Sequence, residues 1–124
     1  MAFKLKQVDD EIFSTPAGGT FTIELSANRG AVQLLSARYG SQHSTENPKE
    51  FDVEAGVNDL IILFQATNND ALVRLDEVDG NKKQRLTSRP AFDGSLSIEI
   101  RTQSAALAKK AAKKKAAKKA SKNQ

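Results

Sequence analysis

Strict alternation of apolar and polar residues is the feature that most constrains this chain. In Phe21-Thr22-Ile23-Glu24-Leu25-Ser26 and in Leu96-Ser97-Ile98-Glu99-Ile100-Arg101 every second side chain is apolar. A period of two places those side chains on one face of an extended strand and the polar ones on the other. Phe51 and Val53 alternate with Asp52 and Glu54, and Phe3-Lys4-Leu5-Lys6-Gln7-Val8 starts the same way before slipping by one residue. No stretch before Ser104 carries a 3.6-residue apolar stripe. Half-buried strands with one wet face therefore predict antiparallel sheets.

Leu60-Ile61-Ile62-Leu63-Phe64 is apolar on both faces. It suits a central strand covered on one side by core and on the other by a loop. The phase changes midway through Val32-Gln33-Leu34-Leu35 and through Val73-Arg74-Leu75-Asp76-Glu77-Val78, which fits β-bulges. Turn signals separate the runs at Thr15-Pro16-Ala17-Gly18-Gly19, Asn28-Arg29-Gly30, Asn47-Pro48, Ala55-Gly56, Thr67-Asn68-Asn69-Asp70, Asp79-Gly80-Asn81 and Asp93-Gly94. Gly and Asn accept positive φ, and Asp and Asn side chains satisfy turn amides. About eight short strands at this spacing predict an all-β fold, an antiparallel β-sandwich of jelly-roll or immunoglobulin-like type.

A weak internal echo points the same way. Ala17-Gly18 opens a strand–turn–strand unit ending at Gly40, and Ala55-Gly56 opens a comparable unit ending at Gly80. Ala31-Val32-Gln33-Leu34-Leu35 aligns with Ala71-Leu72-Val73-Arg74-Leu75. Two facing hairpins would make a simple sandwich core. The phrase Val53-Glu54-Ala55-Gly56-Val57-Asn58-Asp59-Leu60-Ile61-Ile62-Leu63 resembles strands of immunoglobulin-like and carbohydrate-binding jelly-roll modules. That resemblance implies the architecture and names no ligand.

Charge divides the chain in two. Residues 1–103 carry 11 Lys and Arg against 15 Asp and Glu, a net −4, whereas residues 104–124 hold 8 Lys and no acid. At 124 residues there is room for one domain, so we expect a β-sandwich over 1–103 and a basic tail over 104–124. The tail lysines are Lys109, Lys110, Lys113, Lys114, Lys115, Lys118, Lys119 and Lys122, and Leu107 is its single large apolar residue. Nothing there can anchor in a core. Alanine and lysine favour helix, but like charges repel along one, so the tail is expected as a coil that becomes helical when neutralised. Lysine falls all round the helical circumference, which argues against an amphipathic membrane helix.

Such a charge density binds polyanions, nucleic acid first. If all eight lysines met phosphate, log K would fall with log salt at a slope of about −7, without reading bases. The composition resembles the Lys/Ala-rich tails of linker histones and bacterial histone-like proteins, which implies association with DNA. Residues 1–103 depart from the helical globular domain of a histone. Solubility, anionic lipid or an acidic neighbour are the other uses for such a tail.

Catalytic chemistry finds few candidates. There is no cysteine, which removes thiolate nucleophiles, disulfides and Cys-bound zinc. The lone histidine, His43, lies in Gly40-Ser41-Gln42-His43-Ser44-Thr45-Glu46-Asn47-Pro48, a polar loop without a nucleophile-elbow pattern. No glycine-rich phosphate or dinucleotide motif is present. Carboxylates cluster at Asp9-Asp10-Glu11 and Asp76-Glu77-Asp79 without the spacing of a calcium loop. With no Trp and one Tyr, Tyr39, stacking surfaces for sugars or bases are scarce. Lys82, Lys83, Arg85 and Arg89 form the one basic cluster of the body, a possible secondary patch for polyanions or else a solvated turn.

The N-terminus lacks an apolar secretory core and the longest apolar run has five residues, far short of a bilayer span. The expectation is a non-enzymatic, cytoplasmic or nucleoid-associated binding protein without cofactor or metal. Its partner would be nucleic acid or another polyanion. Alternatively, a carbohydrate- or protein-binding surface would sit on loops 40–48, 67–70 and 79–82, or the domain would self-associate into a homo-oligomer.

Overall fold

The structure, a computed structural model, describes residues 3–103, so the predicted basic tail and its eight lysines lie outside the described residues. Alternation becomes strand almost everywhere. The strands are β1 (Lys6–Asp9), β2 (Ile12–Pro16), β3 (Thr20–Ala27), β4 (Val32–Tyr39), β5 (Gln42–Ser44), β6 (Lys49–Asp52), β7 (Gly56–Ala66), β8 (Leu72–Asp79), β9 (Lys82–Pro90) and β10 (Ser95–Gln103). A single 3-10 turn, Ala91–Asp93, joins the last two. The described residues contain no α-helix.

Six strands form one sheet in the order β1-β2-β10-β7-β4-β5, and four form the other as β6-β3-β8-β9. Every pairing is antiparallel except that of β2 with β10. One cluster of buried residues draws on both sheets. Phe13, Leu60, Ile62, Ile98 and Ile100 come from the larger sheet, and Phe21, Ile23, Phe51, Val73 and Leu75 from the smaller. Tyr39 of one sheet packs edge-on against Phe21 and Phe51 of the other at ring centroid distances of 5.2 and 6.0 Å. The two sheets thus share one core, in keeping with a sandwich.

The internal echo has a geometric meaning, though not the one expected. β3 and β4 lie in different sheets, as do β7 and β8, so each unit is an arch crossing the core and not a hairpin. The arches interlock: β3 pairs with β8 and β4 with β7. Their turns exchange matched hydrogen bonds. Asn28 N donates to Leu72 O at 3.1 Å while Leu72 N donates to Asn28 Oδ1 at 2.8 Å. Thr67 N donates to Ala31 O while Ala31 N donates to Thr67 Oγ1, both at 2.9 Å. Two similar sequences crossing side by side satisfy one another's turn amides, which neither could do alone.

Two of the three expected slips, those in β1 and β4, are real, but the third falls on β9 and not within Val73–Val78 of β8. β1, β4 and β9 each carry one residue more than the partner strand, at Val8, Leu35 and Leu86. The bulge in β9 puts the consecutive residues Leu86 and Thr87 both inside.

Two expectations need correction. Ten strands replace about eight, and the sequence pattern does not mark β2, β5 or β9 as strands. β9 opens Lys82-Lys83-Gln84-Arg85 and ends in Pro90, a composition suited to a sheet edge, where charge and proline discourage further pairing. Among the described residues no loop covers the outer face of Leu60–Phe64. Leu60, Ile62 and Phe64 are buried, but Ile61 and Leu63 stand 42% and 45% exposed.

Candidate functional site

The body's basic cluster sits wholly on β9, and its charge is largely spent within the fold. Lys83 Nζ lies 2.7 Å from Glu24 Oε1, Arg85 Nε lies 2.5 Å from Asp76 Oδ1, and Arg89 pairs with Glu11. Glu11 also accepts a hydrogen bond from Thr87 Oγ1 at 2.7 Å. It is the one non-glycine residue among those described with positive φ, at 60°, so the β1–β2 turn is tied to β9 despite an unfavourable backbone. Lys82 enters no ion pair among the described residues. Three of the four proposed patch residues therefore face carboxylates at a sheet edge.

The acidic run on β8 does not converge on a point either. Asp76 and Glu77 are consecutive in a strand and point to opposite faces: Asp76 meets Arg85, while Glu77 turns inward with 2% of its surface exposed. Among the described residues no group of three or more His, Cys, Asp or Glu could hold a metal ion. Glu77 instead accepts hydrogen bonds from Lys4 N at 2.8 Å, Leu5 N at 3.1 Å and Gln84 Nε2 at 3.2 Å. Gln84 also donates to Leu5 O at 2.7 Å. Burial of the carboxylate outweighs these donors and raises its pKa above 4.5. The first described residues are thereby strapped across the end of the sandwich, with Leu5 in the core. A cavity of about 260 Å³ opens beside this strap, lined by Lys4, Thr20, Thr22, Glu50, Glu77 and Asp79 among others.

A second carboxylate organises the neighbouring turn. Glu54 accepts from Gln42 Nε2 and Ser41 Oγ, both at 2.8 Å, and from Ser41 N at 3.1 Å. The Gln42 and Ser41 hydrogen bonds hold its pKa below 4.5. The Tyr39 hydroxyl accepts from Glu54 N and donates to Glu54 O, at 2.9 and 3.2 Å. Gly40, at φ +57°, leaves no space for a side chain: a Cβ there would stand 2.1 Å from Glu54 Oε1.

His43 lies on β5 with its Nε2 3.1 Å from Ser36 Oγ. Among the described residues no carboxylate meets its other ring nitrogen, so the orienting member of a nucleophilic triad is missing. The loops offered as a joint contact surface separate. The turn at 67–70 leads into β8, while that at 80–81 follows it, so the length of the strand, about 23 Å, divides them. Tyr39 is buried, leaving Phe92, 70% exposed, as the aromatic side chain most open for stacking.

The surface that the sequence did not single out is the outer face of the six-stranded sheet. Leu35, Val57, Ile61 and Leu63 emerge there, 42–67% exposed. Ile61 is flanked by Ser97 of β10 and Arg38 of β4, and Arg38 by His43 of β5. Asp59 follows two residues earlier on β7, opposite Glu99, and Glu99 pairs with Arg101 at 2.5 Å. The sequence signal was the unbroken apolar run itself, whose odd-numbered members have no core to enter.

No protein family, curated protein or solved structure matches the chain. Among the described residues no helix is long and apolar enough to cross a membrane.

Proposed function

We propose that this protein is a non-enzymatic β-sandwich, of jelly-roll or immunoglobulin-like type, that associates with nucleic acid through Lys109, Lys110, Lys113, Lys114, Lys115, Lys118, Lys119 and Lys122. The observation that carries the proposal is the segregation of charge, −4 over residues 1–103 against eight lysines and no acid beyond. Ion pairing of Lys83, Arg85 and Arg89 within the body adds support, since it leaves the terminal lysines as the concentrated source of cations. Binding is electrostatic and blind to sequence, because lysine on phosphate releases counterions without touching base edges. A cytoplasmic or nucleoid location accords with such a partner.

The test is titration of random duplex DNA with the full chain and with a full-length variant carrying glutamine at all eight positions, at two salt concentrations. The parent should show a log–log salt slope near −7 if every lysine is engaged, and the variant a slope near zero with much weaker binding. Equal affinity and slope in both proteins would refute the proposal.

A further inference from the structure

A sheet face that ends in solvent usually carries polar side chains at every outward position. Here the adjacent strands β7 and β4 break that rule with Leu35, Val57, Ile61 and Leu63. Two charged residues border the same stripe. Arg38 stands directly across from Ile61, and Asp59 is the next outward residue of β7. Among the described residues neither forms an ion pair, whereas Glu99 and Arg101 on the adjacent strand satisfy each other.

We propose that this face is the contact surface between two copies of the chain. A two-fold axis lying in the contact plane and passing close to Ile61 sets Ile61 of one copy against Ile61 of the other. It brings Arg38 of each copy to Asp59 of the other, the reciprocal pairing that an isologous interface requires. One unpaired cation and one unpaired anion beside a shared apolar centre make the patch complementary to itself; a partner of one charge would leave one of them unmatched. At ~3.3 Å by ~4.8 Å for each strand residue the whole face offers roughly 630 Å², somewhat below the ~800 Å² per partner of a stable complex. The inference stands whatever the terminal lysines bind.

Sedimentation velocity of the full chain across roughly 1–200 µM, a range spanning typical micromolar dimers, should show a monomer–dimer equilibrium. Ile61→Ser combined with Leu63→Ser should weaken it at least about tenfold, while circular dichroism confirms an unchanged fold. Arg38→Asp and Asp59→Arg should each weaken dimerisation, and the double reversal should restore it, which a nonspecific loss of stability would not do. A monomer at the highest concentration would overturn the proposal. So would a dimer indifferent to these substitutions, which would place the contact on an edge strand.

Discussion

Two carboxylates at one end of the sandwich should respond to pH in opposite senses. Glu77, buried and raised in pKa, is better tolerated protonated. Its contribution to stability is present at low pH and lost as pH rises through its folded pKa. Glu54, lowered by Gln42 and Ser41, contributes above its ordinary value and loses that contribution as pH falls. Chemical denaturation between about pH 3 and pH 7, the range in which carboxylates titrate, should show this. Relative to the parent, Glu77→Gln should gain stability with rising pH and Glu54→Gln should lose it. Glu77→Ala strands the amides of Lys4 and Leu5 and should cost about 2 kcal/mol, read as a shift in the urea midpoint. The inward phase of Glu77, which continues Val73 and Leu75, runs against the phase change expected within Val73–Val78. Its partners were not legible, because they lie 72 and 73 residues away and alternation carries no information on what covers a strand end.

At the scale of an element, β7 shows how one apolar run divides into two jobs. Ile62→Ala empties a fully buried site and should cost about 3 kcal/mol. Ile61→Ser, one residue away, should change monomer stability by no more than about 0.5 kcal/mol. Thermal denaturation at low protein concentration compares them directly, and similar losses would mean that the outer face is covered. Alternation located seven strands and the slips in β1 and β4 because both are local properties. β9 and β2 escaped because edge strands and short parallel additions carry few apolar residues to mark them. The arches show in the sequence as similar segments, but no local signal distinguishes a turn that stays in a sheet from one that crosses the core.

For the whole molecule, self-association and folding are coupled. If two copies bury the outer face, melting temperature should rise with protein concentration in the parent and stay constant in Ile61→Ser/Leu63→Ser, measurable by scanning calorimetry. A concentration-independent parent would separate the apolar face from assembly. A dimer would also present two basic segments together, so its apparent affinity for a long polyanion should exceed that of the monomeric variant through effective concentration alone. Net charge was legible in the sequence at this scale. The outward apolar stripe became visible only once β7 was placed between β10 and β4, with nothing beyond it among the described residues.

The placement of β10 also bears on how the chain reaches this state. It is the last strand described yet lies inside its sheet, flanked by β2 and β7. During synthesis from the N-terminus, the places of Leu96, Ile98 and Ile100 stay vacant until that strand emerges. Until then β2 and β7 are open edges able to capture another nascent chain. Closure requires segments from opposite ends of the body to meet, a high contact order that favours folding in milliseconds to seconds rather than microseconds.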